Sequence, residues 1–264
     1  MKRALPLLAA IALTVLAMAP TAPAQTVGEF GVALKDFKPS YGGYTAVLDA
    51  RVYDSAGAAP SQLATAQIRL PRGAKIREHY VYGKFICNTV VLEVYMNPNT
   101  CRDSQFATGT MVLDARPGLA EPISTNIYLF LGAVNIDEVG QGAIARVAVF
   151  VAGTSAFRSQ VLYGTLFRDS GPYSYRLVLP AVVTPLTAGL RLSLAELHLT
   201  VTGLKVTKPA TGRHSARKVF WTSLPRCDKN GEISFGVDFR FSGAATIPAQ
   251  RAVKCSKFLR RRSS

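Results

Sequence analysis

Glu232-Ile-Ser-Phe-Gly-Val-Asp-Phe-Arg-Phe-Ser242 is the stretch that decides the fold. Ile233, Phe235, Val237, Phe239 and Phe241 alternate with Ser234, Gly236, Asp238 and Arg240. A period of two sustained over nine residues puts every large apolar side chain on one face of a strand and every polar one on the other. Helical spacing would scatter the same aromatics around a cylinder. Cys227 precedes this strand, and Gln250-Arg-Ala-Val-Lys-Cys255 follows it as the next extended segment.

The same alternation recurs upstream at short intervals. It predicts strands at Phe30–Leu34, Leu48–Val52, Ala66–Leu70, Thr108–Asp114, Asn126–Leu131, Ala143–Val151, Gln160–Phe167, Tyr173–Leu179, Leu192–Val201 and Val219–Leu224. Turn signals separate them: Asp54-Ser-Ala-Gly57, Pro71-Arg72-Gly73, Asp169-Ser-Gly-Pro172 and Asp228-Lys-Asn-Gly231. Val147 to Val151 is a continuous apolar run, the pattern of a strand covered on both faces. No amphipathic helix longer than two turns is expected, and Arg102–Phe106 is the best candidate for a helical turn. This series predicts an all-β fold, a two-layer antiparallel sandwich of the jelly-roll kind with about 10–12 strands. Residues 25–256 form its domain, with 180–189 as the candidate boundary between two halves.

Lys2 and Arg3, an apolar run from Ala4 to Met18, and Ala22-Pro23-Ala24 read as a signal peptide cleaved after Ala24. The run is shorter than the roughly 20 residues a spanning helix needs. The expectation is a secreted, periplasmic or cell-envelope protein of 240 residues, the full 264 less 24. Residues 257–264 are expected to be a basic, disordered tail.

An even cysteine count in an exported chain favours disulfides, and Cys87, Cys101, Cys227 and Cys255 allow three pairings. Cys87–Cys101 with Cys227–Cys255 is preferred, because each pair closes a local loop. A four-thiolate zinc site needs close C-x-x-C pairs, and the chain has none. Leu70-Pro71-Arg72-Gly73, Cys87, Cys101-Arg-Asp-Ser104, Thr108-Gly109-Thr110, Leu224-Pro225-Arg226-Cys227 and Cys255 together resemble the layout of a group of uncharacterised secreted bacterial β-rich proteins. Those relatives carry Pro after the second cysteine, where this chain has Arg102. The resemblance implies export and a shared fold, and it carries over no functional residue.

Catalytic signatures are weak. Glu78-His79 lacks the second histidine of a metalloprotease helix, His198 sits in an apolar strand, and His214 lies among cations. Ser155, in Gly153-Thr-Ser-Ala-Phe157, lacks the closing glycine of a nucleophile elbow. Glycoside hydrolysis asks for two facing carboxylates, with Glu93, Asp114, Asp137, Glu138, Glu196 and Asp238 as candidates. A carbohydrate-binding jelly roll would instead present Tyr128, Tyr163, Tyr173 and Tyr175 together. No catalytic residue, cofactor or metal ligand is assigned from the sequence.

Charge is the stronger signal. Thirty-one Lys and Arg against 16 acids give a formal +15, and losing Lys2 and Arg3 leaves +13. Lys205, Lys208, Arg213, Arg217 and Lys218 cluster in one expected loop, and Lys254, Lys257, Arg260, Arg261 and Arg262 cluster at the C-terminus. Such surfaces attract polyanions at low salt. No nucleic-acid reading motif accompanies them. The expected partners are therefore anionic envelope polymers, polysaccharide or lipid headgroups, met by a non-catalytic module. A carbohydrate-binding or carbohydrate-active protein is the alternative.

Overall fold

The computed structural model describes residues 25–38, 43–77, 85–133, 141–180, 183–208, 210, 215–225, 228, 230–242 and 246–254. In chain order the elements are β1 (Thr26–Lys38), β2 (Gly43–Asp54), β3 (Leu63–Pro71), β4 (Lys75–Ile76), α1 (Thr89–Tyr95), a 3-10 segment (Pro98–Ser104), β5 (Gln105–Asp114) and β6 (Ile123–Gly132). There follow β7 (Ala143–Val151), β8 (Gln160–Arg168), β9 (Tyr173–Pro180), β10 (Ser193–Val201), β11 (Lys205–Lys208), β12 (Arg217–Phe220), β13 (Thr222–Ser223), β14 (Glu232–Phe241) and β15 (Thr246–Lys254).

Eleven of these strands form one antiparallel sheet in the order β1-β2-β10-β5-β6-β7-β8-β9-β3-β14-β15. Apart from Val219–Leu224, the expected strands are present within a few residues of their bounds. They lie in a single sheet that curls until its end strands meet, nearly a barrel. Phe30, Val32 and Leu34 of β1 pack beside Ile233 and Phe235 of β14 and Val253 of β15. Gly28 lies under the Phe239 ring, where a Cβ would come within 2.7 Å of it.

The alternation decides which way the sheet curls. On β14 the five apolar residues are all buried: Val237, Phe239 and Phe241 share the main interior cluster with Leu48, Ile68, Leu129, Val147, Leu166 and Leu199 from six other strands, and Ile233 and Phe235 form a smaller cluster against β1. Charged residues such as Glu29, Asp49, Arg51, Glu196 and Arg240 alternate with inward positions and face outward. A membrane-spanning barrel carries an apolar band on that outer side. Among the described residues no helix is long and apolar enough to cross a membrane.

Gly109 and Gly164 mark two places where neighbouring backbone comes unusually close. A Cβ on Gly109 would sit 1.8 Å from the His198 carbonyl oxygen, and one on Gly164 would sit 2.6 Å from that of Val178. They lie at the β10/β5 and β8/β9 boundaries, at either side of the β5–β8 panel. Strand glycines of this kind accompany tight bends.

The apolar run in β7 is covered on both faces, as its pattern requires. Its inner side joins the main core, while Ala148 and Phe150 pack outward with Phe130, Leu92 of α1 and the bonded Cys87–Cys101 pair. That disulfide, with Cα atoms 5.0 Å apart, realises the local pairing expected for it. By loop entropy its 14-residue separation contributes about 3 kcal/mol. Cys227 and Cys255 lie outside the described residues.

Three local expectations are corrected. The helical turn falls at Pro98–Ser104, with Phe106 already in β5, because Asn97 caps Asn99 N and Pro98 supplies the first helical position. The segment Val219–Leu224 is divided at Trp221, which turns inward against Phe106 and separates β12 from β13. The basic stretch from Lys205 to Lys218 contributes a paired hairpin, β11 with β12, instead of a plain loop.

Candidate anion-binding end

Antiparallel order sorts the strand ends into two sets. At one end β1, β3, β6, β8, β10 and β15 finish while β2, β5, β7, β9 and β14 begin. The connections leaving there carry cations from distant parts of the chain. Arg72, Lys75 and Arg77 follow β3, Arg102 precedes β5, Arg168 ends β8, the β11/β12 hairpin follows β10, and Lys254 ends β15.

Hairpin register distributes its charges. Lys205 faces Phe220 and Thr207 faces Lys218, whereas Val206 and Val219 turn inward as buried pairs. Lys208 and Arg217 form the outermost pair. The inward valines anchor the hairpin to the core, so Lys205 and Lys218 are held on a common wall. That wall, the 3-10 segment's Arg102 and Asp103, and Thr45, Thr202 and Phe85 enclose a groove of about 780 Å³. The Lys205 ammonium sits 5.7 Å from the centroid of the Phe220 ring, which supplies an apolar floor.

A second groove of about 700 Å³ opens on the other side of this end, lined by Arg72, Arg77, Arg168, Asp169 and Tyr173. Its acid is already engaged. Arg69 Nη1 donates to Asp169 Oδ2 at 2.9 Å, and Arg69 Nη2 donates to Asp238 Oδ2 at 2.6 Å. The hydrogen bond to Asp238 is the main reason the Arg69 guanidinium is held above its ordinary pKa. Between the grooves lies a small cap, β4 paired with β13, to which Arg77 is fixed by donating Nη1 to the Phe220 carbonyl at 2.5 Å.

Beneath the cap is an apolar cavity of about 70 Å³ bounded by Tyr44, Phe106, Ile76 and Trp221. Burial pushes the Tyr44 phenol above its usual pKa, partly offset by its hydrogen bond with Thr222.

The sequence-derived basic residues divide accordingly. Lys205, Lys208, Arg217, Lys218 and Lys254 share the basic end, while Arg213, Lys257, Arg260, Arg261 and Arg262 lie outside the described residues. Arg72, Arg77 and Arg102 were missed, because nothing in their spacing relates them to the hairpin. Only strand direction does.

Among the described residues the enzyme candidates are engaged separately. Tyr175 packs half-buried against the core, Tyr128 meets Phe150 at a tilt, the Tyr163 hydroxyl donates to Glu93, and the Tyr173 ring centroid lies 5.7 Å from the Arg69 guanidinium. Glu196 is 3.7 Å from Arg51, Asp238 binds Arg69, and Asp114 binds Arg116. Ser155 is exposed in a turn closed by Thr154 N donating to the Phe157 carbonyl. His198 Nδ1 lies 2.5 Å from Asp49 Oδ1 on an outer-face groove of about 710 Å³, with both side chains about half exposed. Among the described residues no three His, Cys, Asp or Glu side chains are placed to hold a metal. Asp137, Glu138, His79 and His214 lie outside the described residues.

No family model, curated protein or solved structure matches this chain.

Proposed function

We propose that the chain is an exported, non-catalytic interaction module that associates with the anionic cell envelope through its basic end. The resemblance to secreted bacterial β-rich proteins and the leader-like start belong to the same proposal. So does a flattened, sandwich-like cross-section, which the close backbone approaches at Gly109 and Gly164 favour. One observation carries the binding reading: cations from the β3–β5, β8–β9 and β10–β14 connections and from the end of β15 converge on one end, beside two open grooves. Charge kept only for solubility has no reason to converge, because scattered charge serves as well. Among the described residues Arg72, Arg102, Lys205 and Lys218 make no ion pair, so they meet a polyanion without first giving up an acid partner.

The test compares charge reversals of equal size at opposite ends. Lys205→Glu/Lys218→Glu alters the basic end, and Arg158→Glu/Arg191→Glu alters the other. Binding of each to envelope fractions of the producing cells is followed as salt rises from about 0.05 to 0.5 M. The basic-end pair should lose at least about tenfold in affinity and flatten the salt dependence, while the control pair changes little. Equal losses from both would show that net charge alone is at work and would defeat the proposal. A form ending at Ser256 separates the contribution of the last eight residues.

A further inference from the structure

Six large apolar side chains are exposed among the described residues, and four of them fall in one short segment: Val90 (65% exposed), Val94 (71%), Tyr95 (69%) and Met96 (42%). The other two, Leu119 and Leu186, stand in separate connections. Scattered exposed apolar residues need no explanation, whereas a contiguous set does.

The segment is α1 with its C-cap, and its sequence is poorly suited to a helix. Thr89, Val90, Val91 and Val94 are β-branched, which disfavours helix in isolation. The helix is imposed from outside. Asn88 caps it by accepting a hydrogen bond from Val91 N at 3.3 Å, Leu92 is fully buried against Phe130 and Phe150, and the Cys87–Cys101 bond brackets it. Glu93, the helix's one charge, is tied to the Tyr163 hydroxyl. The outward face presents Val90 and Val94, with the exposed Glu93 engaged at its edge.

Met96 adds an independent observation. It closes the helix in the left-handed region at φ 47°, ψ 37°, and it is the one non-glycine residue with positive φ among those described. Glycine is the usual residue there because it adopts this conformation without a Cβ clash. A large apolar side chain is thus kept at a position where the backbone favours its removal.

The chain runs from Met96 straight into the 3-10 segment whose Arg102 lines the groove with Lys205 and Lys218. The apolar ridge and one wall of the cationic groove therefore belong to the same connection on this flank of the barrel, with α1 in contact with the 3-10 segment. We infer that this flank seats on an anionic lipid bilayer, with Val90, Val94, Tyr95 and Met96 entering the headgroup–acyl boundary while Arg102, Lys205 and Lys218 contact phosphate. This inference rests on the envelope reading above and narrows its target to lipid. Rigid presentation by the disulfide favours such insertion, because the ridge is ordered before it binds. Apolar insertion and headgroup attraction are the two terms that hold interfacial segments at membranes.

The test is flotation of the full mature chain with vesicles of equal parts phosphatidylglycerol and phosphatidylcholine, against vesicles of phosphatidylcholine alone. The unsubstituted protein should float with the anionic vesicles, and less so as salt rises. Val90→Ser/Val94→Ser should lower partitioning by about tenfold with binding to soluble polyphosphate unchanged, the scale expected from two partly buried valines. Met96→Gly should weaken partitioning by a few fold while melting no lower than the parent, which a merely structural role for Met96 would not produce. Unchanged partitioning of both variants would overturn the lipid inference and leave the charge reading standing. Sedimentation showing a dimer that both variants abolish, with vesicle binding unaltered, would assign the ridge to a second copy of the chain and also overturn it. Loss of neither vesicle nor polyphosphate binding in Lys205→Glu/Lys218→Glu would instead remove the envelope reading itself.

Discussion

The two ends of the barrel carry similar kinds of charged residue and use them differently. At the end opposite the grooves, Asp114 accepts hydrogen bonds from Arg116 N at 2.9 Å, from its Nε at 3.0 and 3.1 Å, and from its Nη2 at 2.5 Å. Arg116 in turn donates to the carbonyls of Gly57 and Ala58, tying the β2–β3 connection to the β5–β6 connection. In this clasp charge is consumed by the fold, while Arg158 and Arg191 at the same end stay exposed. At the basic end Arg69 takes up Asp169 and Asp238 and Arg77 is tied to the Phe220 carbonyl, but Arg72, Arg102, Lys205 and Lys218 are exposed and make no ion pair among the described residues. A charge spent on its own backbone stabilises the protein and is lost to ligands; a solvated one does the reverse. That contrast orders the experiments below by their expected effect on stability.

The largest effect should come from the wall joining the ends. A Cβ on Gly109 would meet the His198 carbonyl, a backbone atom that cannot swing aside, at 1.8 Å. Gly109→Ala should cost about 3 kcal/mol or more, or prevent folding, as seen in a denaturant midpoint. Gly31→Ala is the control, since its Cβ would meet Asp49 Cβ at an ordinary 3.6 Å. Comparable losses from both would mean that close approach at the bend is not what matters.

Asp114→Ala should come next, at about 2 kcal/mol, because several charge-assisted hydrogen bonds disappear from a buried site. The hydrogen bonds from Arg116 hold the Asp114 carboxyl below its ordinary value of 3.8. A depressed folded-state pKa gives stability that is complete above that ordinary value and is lost as pH falls through the folded one. The variant should therefore lose part of the parent's acid sensitivity below about pH 4. An unchanged acid limb would count against the contribution assigned to this clasp.

Tyr44→Phe probes the basic end by the opposite titration. Burial raises the Tyr44 pKa above 10.0, so the folded protein keeps the phenolic proton at pH values where the unfolded chain releases it. That contribution is complete below pH 10 and declines as pH rises toward the folded value. At neutral pH the lost hydrogen bond to Thr222 should cost about 1 kcal/mol, and the gap to the parent should narrow in alkali. A gap that stays constant from pH 7 to about 11 would remove Tyr44 from the alkaline response.

These contrasts also show what a single sequence can reveal. The alternation of Ile233 through Phe241 named both the strand and its buried face, and the continuous run in β7 foretold cover on both sides, because those signals are local. Closure of β1 against β15 was not legible, since pairing partners and register are properties of the whole sheet. Helix α1 was hidden by its valines, whose preference for strands is overridden by Leu92 burial and the disulfide. The basic end was half visible. Lys205 and Lys218 stood out as a cluster, but Arg72 and Arg102 joined them only through strand directions set by pairing between distant segments.

The smallest stability effect should fall where the largest binding effect is expected. Lys205 and Lys218 are exposed, and their substitution by Glu removes at most the weak attraction of Lys205 for the Phe220 ring, roughly 0.5 kcal/mol. Relief of repulsion among the neighbouring cations opposes that loss, because Arg102 shares the groove and Arg217 flanks Lys218 in β12. The net change in unfolding free energy should stay within about 0.5 kcal/mol, and at low salt it should shift in the favourable direction. Stability measured at 0.02 and 0.5 M salt tests this directly. A parent that grows more stable as salt screens it, beside a variant that does not, identifies a cationic surface under mutual repulsion. A marked, salt-independent destabilisation of the variant would mean that these lysines hold the hairpin in place. Their charge would then be committed to the fold, as at the other end, and the contrast between the two ends would collapse.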